Sequence, residues 1–283
     1  MYCKDDPCCF KKGRSPVIRM DNNNLQVIVL VATHKSYWMP KDKIYLPVHV
    51  GAEGKIDNNG HPLDLGYIKD NTGNNISSKN KNYCELTGLY WAWKNLEFDY
   101  LGLAHYRRHF TLKKKRNKKE MPITFSELIP ILNQYDVILP KKRNYFIETN
   151  YNQYVHAHHK EDLDTTRAII KEKYPEYLNA YDENMKKTSG HRFNMFIMSR
   201  DCIINYCEWL FDILFELESR LDITLYNTND ARVFGFVSER LLDVWIDTNH
   251  IQYKEIPYVF MEKQNWVKKG LNFLKRKVHP NNR

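Results

Sequence analysis

The sequence predicts an α/β fold with a mostly parallel central sheet flanked by helices, and three observations carry that prediction. Apolar runs of strand length alternate with segments of helical period. The leading runs are apolar throughout, as strands covered on both faces must be. Three of these runs end in polar, mostly cationic clusters, which places a candidate site beyond one rim of the sheet.

The first element is "LQVIVLVATHK" (Leu25 to Lys35), a continuous apolar run read as a central strand ending in Thr33, His34 and Lys35. A short strand is expected in "YLPVHVGA". The stretch "DNTGNNISSKN" (Asp70 to Asn80) is a loop by its Asn, Ser and Gly content. A helix then begins in "NYCELTGLYWAWKNL", with Asn82 as N-cap, Glu85 closing a capping box, and Leu86, Leu89, Tyr90, Trp93 and Leu96 on the core face. "DYLGLAHYRRHF" follows: a strand of apolar residues that stops at His105, Tyr106, Arg107 and Arg108. Further strands are expected in "YDVILP", "RFNMFIMS" and "YKEIPYVF". Helices are expected over Asp162 to Lys173, Asp201 to Arg220 and Phe236 to Trp245. No internal repeat is visible.

The length allows one large domain or two small ones, enough to bury a sizeable core, and residues 25–262 read as the folded part. Residues 1–24 read as a disordered extension, with Met20 a possible true start. Residues 263–283 read as a basic amphipathic tail, with Val267, Leu271, Leu274 and Val278 in a stripe suited to an anionic membrane surface. A helix docked on the domain explains that stripe equally well. The formal charge is +9, but "KKKRNKK" carries six positive charges and the tail seven, so the remainder is net acidic. Two local patches argue against a broad nucleic-acid-binding face. No run approaches the roughly 18 apolar residues of a membrane span, and "MYCKDDPCCFKKGR" has no apolar leader core, so the expected location is cytoplasmic, with peripheral membrane contact through the tail. Cys84, Cys202 and Cys207 are expected as reduced core residues, and Cys3, Cys8 and Cys9 lack a partner pair at zinc-site spacing.

The clusters at Thr33–Lys35, His105–Arg108 and Lys141–Arg143 together suit a phosphate-bearing ligand. Arginine's planar fork binds phosphate oxygens bidentately and keeps its charge at neutral pH. In a continuous strand Arg107 and Arg108 point to opposite faces, so both reach one ligand only if the chain turns there. Arg107, on the same face as His105, is then the stronger candidate. No Gly-rich phosphate loop and no nucleophile elbow occurs. Asp162 and Asp164 form a D-x-D pair, a weak candidate for Mn²⁺ or Mg²⁺, and N-capping explains them as well. Gly235 is placed before a helix whose first turn holds Ser238, Glu239 and Arg240. Glu239 reads either as a general base or as an acid complementing the helix dipole.

The blocks "ATHK", "NISSKN", "YCELTGLYWAWKN", "YLGLAHYRRHF", "NMFIMS" and "RVFGFVSERLLDVWI" resemble a bacterial glycosyltransferase family of capsule, exopolysaccharide and lipopolysaccharide gene clusters, long carried as a domain of unknown function. The resemblance spans roughly Leu25 to Glu262, and "HYRR" is its hallmark. It implies a GT-A-like fold and transfer of a sugar from a nucleotide-diphosphate donor, a UDP-sugar above all and UDP-galactofuranose as one option, to a lipid-linked or glycan acceptor. It implies donor contacts from Thr33, His34, Lys35, Asn75, Ser77, Asn80, Tyr106, Arg107 and Arg108. His105 and Glu239 would be catalytic, with Glu239 the base of an inverting route, whereas a retaining route would need no base there, and Asn194 and Ser238 would lie on the acceptor side. The basic "HYRR" standing where a strand-end D-x-D is usual suggests a diphosphate held by cations without a metal. Two alternatives stand beside this reading: a nucleic-acid-binding module, and a nucleotide-sugar-binding protein without turnover.

Overall fold

The computed structural model describes residues 25–262. The tail, the N-terminal extension and Cys3, Cys8 and Cys9 lie outside the described residues. Among the described residues a nine-stranded sheet runs through the molecule. Its main path, edge to edge, is β10 (Tyr253–Ile256), β6 (Val137–Pro140), β9 (Phe196–Ser199), β4 (Tyr100–His105), β1 (Val27–Thr33), β2 (Tyr45–His49) and β3 (Ile68–Lys69). Off this path, β5 (Arg108–Phe110) pairs with β4 and with β11 (Tyr258–Phe260). The strands β1, β2, β3 and β4 are mutually parallel, as are β6 and β10. One central strand, β9, runs antiparallel to both its neighbours.

Alternation along the strands divides the core. Leu30, Ala32, Leu101, Leu103 and Met198 face a thick helical layer, while Val27, Val29, Tyr100, Ala104 and Ile197 face a thinner one. The thick layer holds α1 (Asn80–Tyr83), α2 (Leu86–Asn95), α4 (Asn150–Val155), α5 (Lys160–Lys173), α6 (Leu178–Lys186), α7 (Arg200–Arg220) and α8 (Val233–Thr248). The thinner layer is formed largely by α3 (Phe125–Leu132), whose Thr124 and Glu127 make a capping box. Both layers bury apolar side chains, which is why β1 and β4 are apolar throughout.

Three expectations require correction. The predicted capping box of Asn82 and Glu85 does not form, because the helix breaks at Cys84. Cys84 takes φ +54° and ψ −131°, a backbone state open chiefly to glycine. The segment "YKEIPYVF" is two strands, split at Pro257, which has no N–H to continue a ladder. The last helix begins at Val233 after a 3₁₀ turn (Asp230–Arg232), so Glu239 sits in its second turn, beyond the reach of the terminal dipole.

His109 is fully buried between Trp38 and Tyr45, which present their rings edge-on. Burial pushes its pKa down from the ordinary 6.5 to about 4. Below pH 6.5 the unfolded chain takes up a proton that the folded chain refuses, so stability falls as pH drops through this window. The loss at pH 4 from this group is about 3 kcal/mol. Urea unfolding at pH 7 and at pH 4.5 is expected to show that slope, flattened in His109→Phe.

Candidate functional site

Chain order along the sheet reverses between β1 and β4: β2 and β3 extend from one side of β1, and β4 adds to the other. Ligands of open α/β sheets sit outside the carboxyl ends of the strands at such a switch point. A cleft opens there, formed of two adjoining chambers of about 300 and 350 Å³. Cys84, Glu85, His105, Arg107 and Arg232 line both and so form the wall between them.

The "HYRR" block is a hairpin corner. β4 ends at His105, Tyr106 and Arg107 turn, and β5 starts at Arg108, which pairs directly opposite His105. Opposite residues of an antiparallel pair share a face, so Arg108 is the arginine that shares His105's face, and Arg107 occupies the turn. Because the chain turns, both arginines reach the cleft. Arg108 lies over the rings of Phe193 and Phe260, at 4.1 and 5.2 Å. Arg107 lies over Tyr106 and meets Glu262 at 3.4 Å. His105 Nε2 donates to the Phe193 carbonyl at 2.7 Å, and burial lowers its pKa, so the ring is neutral near pH 7.

The outer chamber takes Thr33 and His34 from the end of β1, Tyr106 from the hairpin, and Asn80 and Lys81 from α1. Thr33 closes a turn with its hydroxyl, donating to the Lys35 carbonyl at 2.7 Å. Lys35 stands over the Tyr37 and Tyr106 rings and does not line either chamber. Asn75 and Ser77, expected along the donor, are also outside both linings. Ser77 bonds Asp70 and accepts from the Glu53 backbone, while Asn75 accepts from the Ser77 backbone, so both serve the loop itself.

The inner chamber holds five arginines (107, 108, 143, 232 and 240), His158, and the carboxylates of Glu85 and Glu239. The break at Cys84 turns Glu85 into the cleft, where its Oε1 accepts from Asn194 Nδ2 at 2.7 Å and lies 3.6 Å from His105 Nε2. Asn194 and Ser238 were expected on the acceptor side. Both are instead buried behind the floor: Ser238 Oγ donates to Asn194 Oδ1, and Asn194 Nδ2 also donates to the Gly235 carbonyl. They hold Glu85 in place. Phe193 and Asn194 both carry positive φ, 77° and 51°, a strain that aims the Phe193 carbonyl at His105. Glu239 is less tethered: its Oε2 lies 3.4 Å from Arg240, whose own fork is occupied by Phe236 O and Gln153. Arg232 Nε donates to Cys84 Sγ at 3.1 Å. Cys84 is therefore a cleft residue, whereas Cys202 and Cys207 are buried in the core as expected.

The D-x-D pair does not fit a metal. Residues two apart on α5 point to different sides of the helix. Asp162 is buried and accepts from the Tyr154 and Tyr226 hydroxyls, while Asp164 pairs with Lys160 and Tyr151. Neither carboxylate caps the helix, whose N-cap is His159. Among the described residues no group of three or more His, Cys, Asp or Glu side chains is placed to hold an ion.

Sequence reasoning passed over Glu85, Cys84, Arg232, Arg240 and His158 as cleft residues. Glu85 was hidden by a cap pattern, and Arg232 and Arg240 stood in the block from which only Glu239 and Ser238 were drawn as candidates. The signal available was charge: arginines flanking an apolar helix face. Gly235 shows why this helix comes so close. A Cβ there would lie 3.1 and 3.2 Å from Cys84 Sγ and Cβ. Gly235→Ala is expected to cost about 1–2 kcal/mol despite its better helix propensity. Cys84→Gly removes both opposing atoms and suits the local backbone, so the double variant should recover most of the loss in a urea-unfolding double-mutant cycle.

The sequence profile of the domain of unknown function DUF4422 matches residues 28–250. The chain belongs to the DUF4422 family. Every residue that lines either chamber falls inside this DUF4422 domain. A solved structure, the apo form of the bifunctional glycosyltransferase WbbM, shares its fold with a TM-score of 0.76 and 30% identity. That match covers 84% of this chain and 46% of WbbM, so the chain spans less than half of that protein's length. It bears out the expected α/β, GT-A-like architecture with its mostly parallel sheet. No curated protein matches the chain. No helix among the described residues is long and apolar enough to cross a membrane.

Proposed function

We propose that the chain is a glycosyltransferase that moves a sugar from a nucleotide-diphosphate donor to a hydroxyl of a glycan. The observation that carries this reading is the pair of chambers meeting at a wall that holds Arg107 and Arg232. A nucleoside in the outer chamber, beside Thr33, His34 and Asn80, would place its diphosphate at that wall and its sugar in the inner chamber with Glu239. The likeness to part of WbbM supports the same class of reaction. A UDP-sugar is the donor favoured, UDP-galactofuranose one member of that class, and a capsule, exopolysaccharide or lipopolysaccharide glycan the acceptor class.

In this reading Glu239 takes the proton of the acceptor hydroxyl as its oxygen attacks the anomeric carbon. The bond from that carbon to the diphosphate oxygen breaks, and the electron pair leaves with the nucleoside diphosphate. Arg107 and Arg232 meet the charge that develops on the departing oxygen, where fixed cations contribute most. Arg108 lies on the sugar side, held by its aromatic neighbours. His105, neutral and bonded to the Phe193 carbonyl, holds the hairpin corner against the floor. The carboxylates of the D-x-D pair are held by tyrosine hydroxyls and Lys160.

The test is thermal stability of the full chain against UDP, GDP, CMP and dTDP, each with manganese or with chelator, followed by release of free nucleotide from the matching nucleotide-sugar. Stabilisation by one nucleotide in chelator, with turnover, supports a cationic clamp. Stabilisation without turnover favours a non-catalytic binder. No stabilisation by any nucleotide overturns the donor assignment. Two small chambers offer a nucleic acid no extended track, so the nucleic-acid alternative is not favoured.

A further inference from the structure

One exposed apolar feature lies apart from the core and is used by none of the chemistry above. β7 (Arg143–Asn144) pairs with β8 (Ser189–Gly190) and ends in a tight turn at Tyr145–Ile147. Phe146 is 79% exposed and Ile147 66% exposed. The other large apolar side chains this exposed among the described residues stand singly, and these two are adjacent. The turn is well defined: Phe146 N donates to Asn144 Oδ1 at 2.7 Å, Ile147 N to the Tyr145 carbonyl at 2.7 Å, and Tyr145 N to the Thr188 carbonyl at 2.8 Å. Phe146 takes φ +62°, unusual for a bulky residue, so the fold spends backbone strain to hold an aromatic ring in solvent. Immediately before the turn stand three exposed cations, Lys141, Lys142 and Arg143.

We propose that this turn is a membrane-docking element that rests on an anionic lipid surface. An exposed apolar pair preceded by three exposed cations matches the two layers of such a surface: phosphate headgroups outside and acyl chains beneath. The position gives the contact a purpose. Arg143 and Tyr145, from the same short segment, line the inner chamber. Seating Phe146 and Ile147 in the headgroup region therefore brings the sugar side of the cleft to the bilayer, where a lipid-linked acceptor would stand. This consequence rests on the glycosyltransferase reading; the docking itself does not.

The test uses the full chain, including residues 263–283. It is sedimented with vesicles of phosphatidylcholine alone and of equal parts phosphatidylcholine and phosphatidylglycerol. The wild-type chain is expected to partition onto the phosphatidylglycerol vesicles. Phe146→Ser/Ile147→Ser is expected to lower that partition about tenfold or more, and Lys141→Glu to lower it about fivefold or more on anionic vesicles. Neither change touches a residue of the cleft, so the melting temperature and the nucleotide-induced shift should match the wild type. Wild-type protein that stays in the supernatant with both vesicles overturns the proposal. So do variants that partition as the wild type does, since another segment would then carry the binding. Loss of nucleotide response in the wild type, with vesicle binding intact, would strike the glycosyltransferase reading and leave the docking element standing.

Discussion

Glu239→Gln is expected to lower turnover by about 10²- to 10⁴-fold while leaving donor affinity within about twofold of wild type. The exchange keeps the shape and the capacity to hydrogen-bond but removes the proton acceptor. Two carboxylates face the inner chamber, and their settings differ. Glu85 is fixed by Asn194 and lies beside His105, a placement that suits a structural anion. Glu239 rises from the second turn of α8, where its carboxylate meets Arg240 at 3.4 Å, so it has room to meet a substrate hydroxyl. Release of nucleotide from the donor, with water as acceptor where no glycan is at hand, measures the effect against a nucleotide-binding titration. If Glu239→Gln turned over normally while Glu85→Gln did not, the assignment of the base would pass to Glu85.

Removing either arginine of the shared wall is expected to be nearly as severe, but in affinity. A charge-assisted hydrogen bond contributes roughly 1.5–3 kcal/mol, which converts to about 10- to 100-fold weaker donor binding for Arg107→Ala or Arg232→Ala. Arg107→Lys separates charge from shape: the cation remains and the two-pronged fork does not. A substantial loss in the lysine variant, with the melting temperature preserved, would show that geometry matters at this corner. Arg107 is the better position for this comparison, because it is half exposed and pairs only weakly with Glu262. Arg232 also anchors Cys84, so its loss reaches the backbone break at the wall. Unchanged donor affinity in folded variants of both would remove the wall from the donor site.

How far the fold could be read in advance depended on which property each element expresses. Leu25 to Thr33 and Tyr100 to Ala104 are apolar on both faces, and burial on both faces is a local, composition-level demand, so these strands were legible. Strand direction was not. The segment ending at Ser199 reads equally well either way, because an apolar run has the same pattern forward and backward, and only its neighbours made β9 antiparallel. The cationic rim was legible as three clusters. Its membership was not: Arg143 of the third cluster lines the cleft while Lys141 and Lys142 do not, and Lys35 turned onto aromatic rings.

By itself, then, the sequence determined the α/β class, the central strands, the long helices and the delivery of "HYRR" to the end of a buried strand. These follow from hydrophobic period and from the cost of burying charge. Tertiary structure alone decided that "HYRR" is a corner, that Arg108 rather than Arg107 shares His105's face, that Glu85 is a cleft residue and not a cap, and that Asn194 and Ser238 lie behind the floor. The physical reason is common to all four. Each depends on where the chain turns, at Tyr106, at Cys84 and at Phe193, and two of those turns sit in backbone states that local sequence disfavours. Such turns persist because packing around them, Gly235 against Cys84 and His105 against Phe193, holds them in place, and those contacts join residues far apart in the chain.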